Sequence, residues 1–280
     1  MPMFPTQIPR TPPAPLIALL ALAACGPRAG PPAPAPPAAV RITPVLARFR
    51  LVEHRHVEQG YHGHLIVTDA VTRTRFTVAL DSTPTGFALD AAVDSVAVSG
   101  DAGVSPAAVA SAAGARFRAD VSWNGAVRDV TGPADENPLL DQLGLRMHEL
   151  LPRTPTAGAT PGATWLDTTL ATGRTAGIPI TIEARGRHHG AAAWIEFDGR
   201  QVLPLTSETD YTLSGEGERA GQWITMAGTG TSHVRQYVTP DGVVALGLRE
   251  DTLRLAIELP GTGLRIPLTQ VRTDTLRRVD

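Results

Sequence analysis

Two long stretches of this chain, Val45–Val98 and Ile178–Val271, alternate apolar with polar residues or run apolar with β-branched side chains. Gly, Pro, Asp and Asn punctuate the runs. A period of two puts successive side chains on opposite faces, so the pattern specifies strands with one buried and one solvated face. Phe76-Thr77-Val78-Ala79-Leu80 and Leu89–Val98 are such runs, as are Ile178–Ala184, Gln222–Met226, Val234–Val238 and Leu253–Leu259. Asn124-Gly125, Asp198-Gly199 and Asp241-Gly242 lie between β-like runs, where hairpin turns that need positive φ favour such dipeptides. No strand–helix–strand alternation occurs, so the strands are expected to pair antiparallel. The pattern predicts an all-β (antiparallel) fold with one packed α-helix, built as a large curved sheet or half-barrel; a two-sheet β-sandwich is the alternative.

The helix is predicted over residues 137–151. Asn137 is its N-cap, Pro138 its first residue and Pro152 its stop. Leu140, Leu143, Met147 and Leu150/Leu151 recur at helical spacing, so one face should be buried against the sheet. A shorter Ala-rich helix opens at Ser105-Pro106 and ends before Gly114. Residues 154–162 are rich in Pro, Gly and Thr and read as a linker or long loop. Five positions also recur at an offset of 117: Phe117, Val121, Asn124, Gly125 and Val127 against Val234, Val238, Asp241, Gly242 and Val244. A duplication would divide the β-rich region 45–280 into similar halves, 45–132 and 163–280, joined by the helix.

Charge excludes some partners. The 25 basic residues are all Arg and face 27 Asp and Glu, for a formal net charge of −2. Scattered arginines in near-balance give no electrostatic footprint for nucleic acid. Cys25 is the only cysteine, which excludes disulfides and thiolate metal sites from the rest of the chain.

Residues 16–24 form a nine-residue apolar run ending at Cys25. A membrane-crossing helix needs roughly 20 apolar residues, so this run has the length of a signal-peptide core instead. Leu22-Ala23-Ala24-Cys25 resembles the lipobox of bacterial lipoproteins. That resemblance implies cleavage before Cys25, a diacylglycerol thioether and N-acylation on Cys25, and, with Gly26 rather than Asp following, an outer-membrane, periplasm-facing address. Residues 1–24 are then the signal peptide, and 25–44, half of it Pro or Gly near the start, a polyproline-like tether.

Chemistry is sparser. His54 and His56 stand on one side of an expected turn and His62 and His64 on the other. A three-residue loop at Gln59-Gly60-Tyr61 puts all four on one face, where imidazoles can hold Zn²⁺ or Cu²⁺; a two-residue loop at Gln59-Gly60 separates the pairs. His188-His189 is assigned to a turn and to no function. Glu53, Glu58, Asp90 and Asp94 fit solvated strand faces, and Trp123, Trp165, Trp194 and Trp223 fit the core. Asp81-Ser82-Thr83 lacks the Gly of an aspartic-protease motif, no nucleophile elbow occurs, and Gly228-Thr229-Gly230-Thr231 reads as a strand-edge turn.

Leu151-Pro152 through Gly162-Ala163-Thr164-Trp165, followed by repeated strand–turn–strand units, is similar in style to the curved half-barrels of LolA- and LppX-type lipoproteins. The resemblance implies a sheet that shelters acyl chains. The sequence therefore predicts a non-enzymatic cell-envelope lipoprotein without a cofactor, membrane-bound through Cys25, that binds a hydrophobic ligand or an envelope protein. A metal-binding protein using the histidine hairpin and a structural spacer are the alternatives.

Overall fold

A computed structural model describes residues 37–61, 63–101, 103–133 and 137–279. Cys25, the signal peptide and His62 lie outside the described residues.

The elements in chain order are β1 (Val45–Tyr61), β2 (His64–Thr83), β3 (Gly86–Gly100), α1 (Pro106–Ala112), β4 (Arg116–Ser122), β5 (Val127–Thr131), α2 (Pro138–Met147), β6 (Thr164–Thr175), β7 (Ile178–Gly190), β8 (Ile195–Phe197), β9 (Arg200–Arg219), β10 (Gln222–Val238), β11 (Val244–Leu259) and β12 (Leu264–Val279). Eleven strands form one antiparallel sheet in the order β5-β4-β3-β2-β1-β12-β11-β10-β9-β7-β6, and short β8 pairs with β9. The sheet is nearly closed and barrel-shaped: its edges β5 and β6 approach each other without a hydrogen-bonded ladder. The curved-sheet expectation holds, and the sandwich does not form.

Helix α2 begins as its sequence directs. The Asn137 side chain accepts a hydrogen bond from the Leu139 N–H, and Pro138 occupies the first turn, where it has no donor to lose. The helix ends at Met147 rather than at residue 151, although Leu150 and Leu151 are still buried in the continuation. Leu139, Leu140, Leu143 and Met147 pack with Phe49, Leu51, Phe76, Leu89 and Phe117 in the main core. Each such side chain contributes about 1.5–3 kcal/mol on burial.

Two hairpins are built alike. In β4–β5 the Gly125 N–H bonds the Ser122 carbonyl, the Ser122 N–H bonds the Ala126 carbonyl, and the Ser122 hydroxyl bonds the Asn124 side chain. In β10–β11, 117 residues later, Gly242, Thr239, Val243 and Asp241 make the same bonds. Only the glycine of each pair has positive φ, so these are not type I′ turns; Asp198-Gly199, with both residues at positive φ, fits one.

Other expectations are corrected. Gly228–Thr231 lies in the interior of β10 rather than in a strand-edge turn. His188 and His189 belong to β7. Trp123 and Trp223 are exposed, whereas Trp165 and Trp194 pack against the core. Strand β9 runs 20 residues through what the sequence divides into short pieces, because Ser207, Thr209, Gly215 and Gly217 on its inner face erase the apolar alternation.

Candidate functional site

Register sorts the inner face of β1, β12, β11, β10, β9 and β7 into layers. Phe49, Leu51 and Leu276 belong to the main core that α2 packs on. One step further lie Glu53, Asp274, Arg249, Val234, Ser207 and His188, linked strand to strand; the next row is Arg55, Arg272, Asp251, Ser232, Thr209 and Gly186. Beyond them the inner face turns apolar, with Leu268, Leu255, Leu213 and Ile182 in one row and Ile266, Ile257, Met226 and Ile180 in the next. A belt of charge thus separates the filled core from a second apolar zone.

The belt is completed by α2 and the residues after it. Arg146 Nε donates to Glu53 Oε2 at 2.9 Å, and Arg146 Nη1 reaches Glu149 at 3.2 Å. Glu149 accepts from Arg272 Nη2 at 3.0 Å, and Arg272 also bonds Asp251. Arg272 Nε lies 3.1 Å from Asp274 Oδ2, an ion pair not aligned as a hydrogen bond. Arg249 donates to Ser232 Oγ at 3.1 Å. Glu53, Asp251, Arg272 and Asp274 are all buried, which corrects the reading of Glu53 as a solvated-face residue.

Burial governs the protonation of this belt. It pushes the Asp274 carboxyl up to about 7; Arg146 and Arg249 pull it back, while Glu149 and Glu53 push it further. Burial likewise raises Glu149 and Asp251 against the pull of Arg249 and Arg146. For Arg146, burial favours the neutral form, but Glu53, Glu149, Asp274 and Asp251 outweigh it and hold the guanidinium charged.

The apolar zone is not filled. Ile178, Ile180, Leu213 and Met226 are buried, while Leu145, Ile182, Ile224, Leu253, Leu255 and Ile257 stay half-exposed around them. They line an internal chamber of about 420 Å³ that also borders the charged belt. Pockets that hold small molecules measure roughly 300–1,000 Å³ and are mostly apolar with a few placed polar groups. Glycines shape the walls: Gly228, Gly215 and Gly217 place no side chain on the inner face, and Tyr211 crosses over Gly230 closely enough to exclude a Cβ there.

The outer face has the opposite character. Glu183, Arg185, Arg187, Glu208, Asp210 and Glu216 are exposed on neighbouring strands β7 and β9, with Arg185 opposite Asp210 and Arg187 opposite Glu208. An arginine facing lipid at the bilayer midplane costs about 2–4 kcal/mol, so this is a solvated surface. A larger depression of about 1280 Å³ on that face is lined by Thr168, Thr212, Thr229 and Thr231 among charged residues and Leu170, and it is open to solvent. Among the described residues, no helix is long and apolar enough to cross a membrane.

The histidines do not converge. Tyr61 pairs with His64 between β1 and β2, so neither expected loop is formed. Residue parity then puts His54 and His56 on the outer face and His64 on the inner one. His56 bonds Asp69 at 2.8 Å, and Glu58 sits 3.5 Å away; these hydrogen bonds raise its pKa. Among the described residues no group of three His, Cys, Asp or Glu could hold a metal ion.

His188, unassigned from sequence, is instead buried beside the chamber. Its Nε2 lies 2.7 Å from Asp167 Oδ1, Arg153 Nε donates to Asp167 Oδ2 at 2.8 Å, and the Trp165 ring stacks on the imidazole at 5.3 Å. Burial alone would raise Asp167, but the His188 hydrogen bond and Arg153 lower it below the usual carboxylate range.

No protein-family model and no curated protein matches the chain. A solved structure, that of OpdL from Pseudomonas aeruginosa, aligns over 84% of this chain and 98% of its own at 9% identity and a TM-score of 0.23.

Proposed function

We propose that this chain is a non-enzymatic, lipid-anchored protein of the cell envelope whose β-sheet shelters a hydrophobic ligand. One observation carries the reading: an unfilled apolar chamber lies inside the sheet while the outer face of that sheet is charged. Apolar surface left half-exposed inside a fold forgoes about 25 cal/mol per Å² that close packing would secure. An occupant with hydrocarbon character recovers it. The Leu22-Ala23-Ala24-Cys25 lipobox supplies the address, an outer-membrane anchor facing the periplasm. The binding reading is tested with 1-N-phenylnaphthylamine, whose fluorescence rises in dry apolar sites. The purified full chain should enhance it, and Leu255→Trp, which fills the chamber, should suppress the enhancement at unchanged circular dichroism. Equal fluorescence in both chains would remove the chamber as the binding site.

An envelope protein as partner is favoured by a separate observation. Among the described residues, edge strand β6 meets no ladder partner on its open side, and its outward Leu166 and Leu170 are 74% and 61% exposed. A strand edge with free backbone groups and exposed leucines is a template for strand addition by another chain. Crosslinking from a photoreactive residue placed at Leu166 in intact cells tests it: a discrete protein adduct supports the reading, and none opposes it.

A further inference from the structure

We propose that Arg55 receives the oxyanion of an amphiphile, a carboxylate or a phosphate, whose hydrocarbon occupies the chamber. The inference rests on the chamber reading above and adds the chemistry of the ligand's head.

The charges of the belt explain why Arg55 is the receptor. Along the β1–β12 ladder, like faces like: Glu53 is opposite Asp274, and Arg55 is opposite Arg272. Like charges placed directly across a ladder repel. The segment from α2 relieves both pairs unequally. Arg146 bonds Glu53, and Glu149 bonds Arg272, which also holds Asp251 and lies beside Asp274. Arg55 receives nothing comparable. Its guanidinium makes no hydrogen bond or ion pair with the described residues; burial lowers its pKa, with Glu53 drawing it up and Arg146 pushing it down.

Position completes the argument. Arg55 lines the chamber together with Arg146, Arg249 and Arg272, whereas the belt acids that do so are Glu149 and Asp251. Glu53 and Asp274 lie behind them. The Arg153–Asp167 pair beside His188 also lines the chamber, so its polar end meets five guanidinium groups and three carboxylates. The residues next after Arg55 and Arg272 toward the apolar end are Val57, Gln270 and Leu253, so a head held at Arg55 leads its chain into the apolar rows. A guanidinium donates two parallel hydrogen bonds to a carboxylate or phosphate, and that fork is free on Arg55.

The test uses dansylaminoundecanoic acid and its methyl ester, which share a chain and differ in head charge, titrated into the purified full chain and into Arg55→Gln and Arg55→Lys. The acid should bind about tenfold tighter than the ester, as a charge-assisted hydrogen bond provides. Arg55→Gln should abolish that preference while leaving ester binding intact, and Arg55→Lys should restore part of it. Competition with palmitate and with lysophosphatidate then separates carboxylate from phosphate; displacement by either one supports an oxyanion receptor. Equal binding of acid and ester, unchanged in Arg55→Gln, would overturn the inference and leave the chamber reading standing. Binding of neither probe by a folded chain would overturn both.

Discussion

Arg55 and Arg272 stand directly opposite each other across the β1–β12 ladder, both on the inner face, and only Arg272 is neutralised by protein acids. The asymmetry predicts that the two arginines respond in opposite directions to truncation. Arg272→Met removes the cation that bonds Glu149 and Asp251 and lies beside Asp274, leaving Arg146 and Arg249 to hold three acids, and breaking a buried ion pair costs about 3–5 kcal/mol. Arg55→Met removes a repulsion and should leave stability within about 0.5 kcal/mol or raise it. Urea unfolding of the two variants checks this; equal destabilisation would contradict the assignment of partners.

The belt also predicts a pH dependence. With its carboxyl pushed up to about 7 from an ordinary 3.8, Asp274 binds its proton more tightly in the folded chain than in the unfolded one. Its favourable contribution is present below the unfolded value and lost as the pH rises through about 7. The groups facing it are Glu53 on β1, Arg272 on its own strand, Arg249 on β11, Arg146 on α2 and Glu149 just after that helix. Asp274→Asn, which cannot ionise, should therefore gain melting temperature relative to the parent between about pH 5 and about pH 8. A difference that is flat with pH would show that Asp274 titrates normally.

Two glycines fix the twin hairpins and a third offers the control. A Cβ on Gly125 would meet the Pro152 carbonyl oxygen at 2.1 Å, and one on Gly242 would meet Ile42 Cα at 2.6 Å; on Gly199 it would meet nothing within 4 Å. All three have positive φ. Gly199→Ala should cost about 1 kcal/mol, the strain alone. Gly125→Ala and Gly242→Ala should cost at least twice that, because backbone must move. Equal melting points for the three variants would count against the close approach of residues 42 and 152 to these turns.

How much of this was legible in sequence depended on whether residues obeyed one face rule. Phe76, Val78, Leu89 and Leu140 did, so the strands, the helix and the curved sheet were readable. Glu53 was not: it alternates correctly but faces inward, and a buried acid looks like a solvated one until Arg146, 93 residues away, is known to meet it. Arg249, Asp251, Arg272 and Asp274 were hidden likewise, since charged pairs two residues apart on adjacent strands resemble ordinary polar alternation. The histidine hairpin failed on turn parity: Tyr61 pairs with His64, so His64 faces away from His56, whereas the three-residue loop at 59–61 would have put both on one face. His188 had one available signal, an alternation with Gly186 and Ala184 that places it on the inner face of β7.

The anchor is tested independently of the fold. If Cys25 is acylated, the wild-type chain should fractionate with membranes and Cys25→Ser should be recovered in the soluble fraction. Membrane recovery of both would exclude the lipobox as the anchor.

The central claim is that the chamber holds hydrocarbon, and native mass spectrometry of the gently purified full chain tests it most directly. The account predicts a non-covalent adduct of lipid mass that is lost on collisional activation and absent from Leu255→Trp. A folded wild-type chain that carries no such adduct, and acquires none when incubated with palmitate, would contradict it.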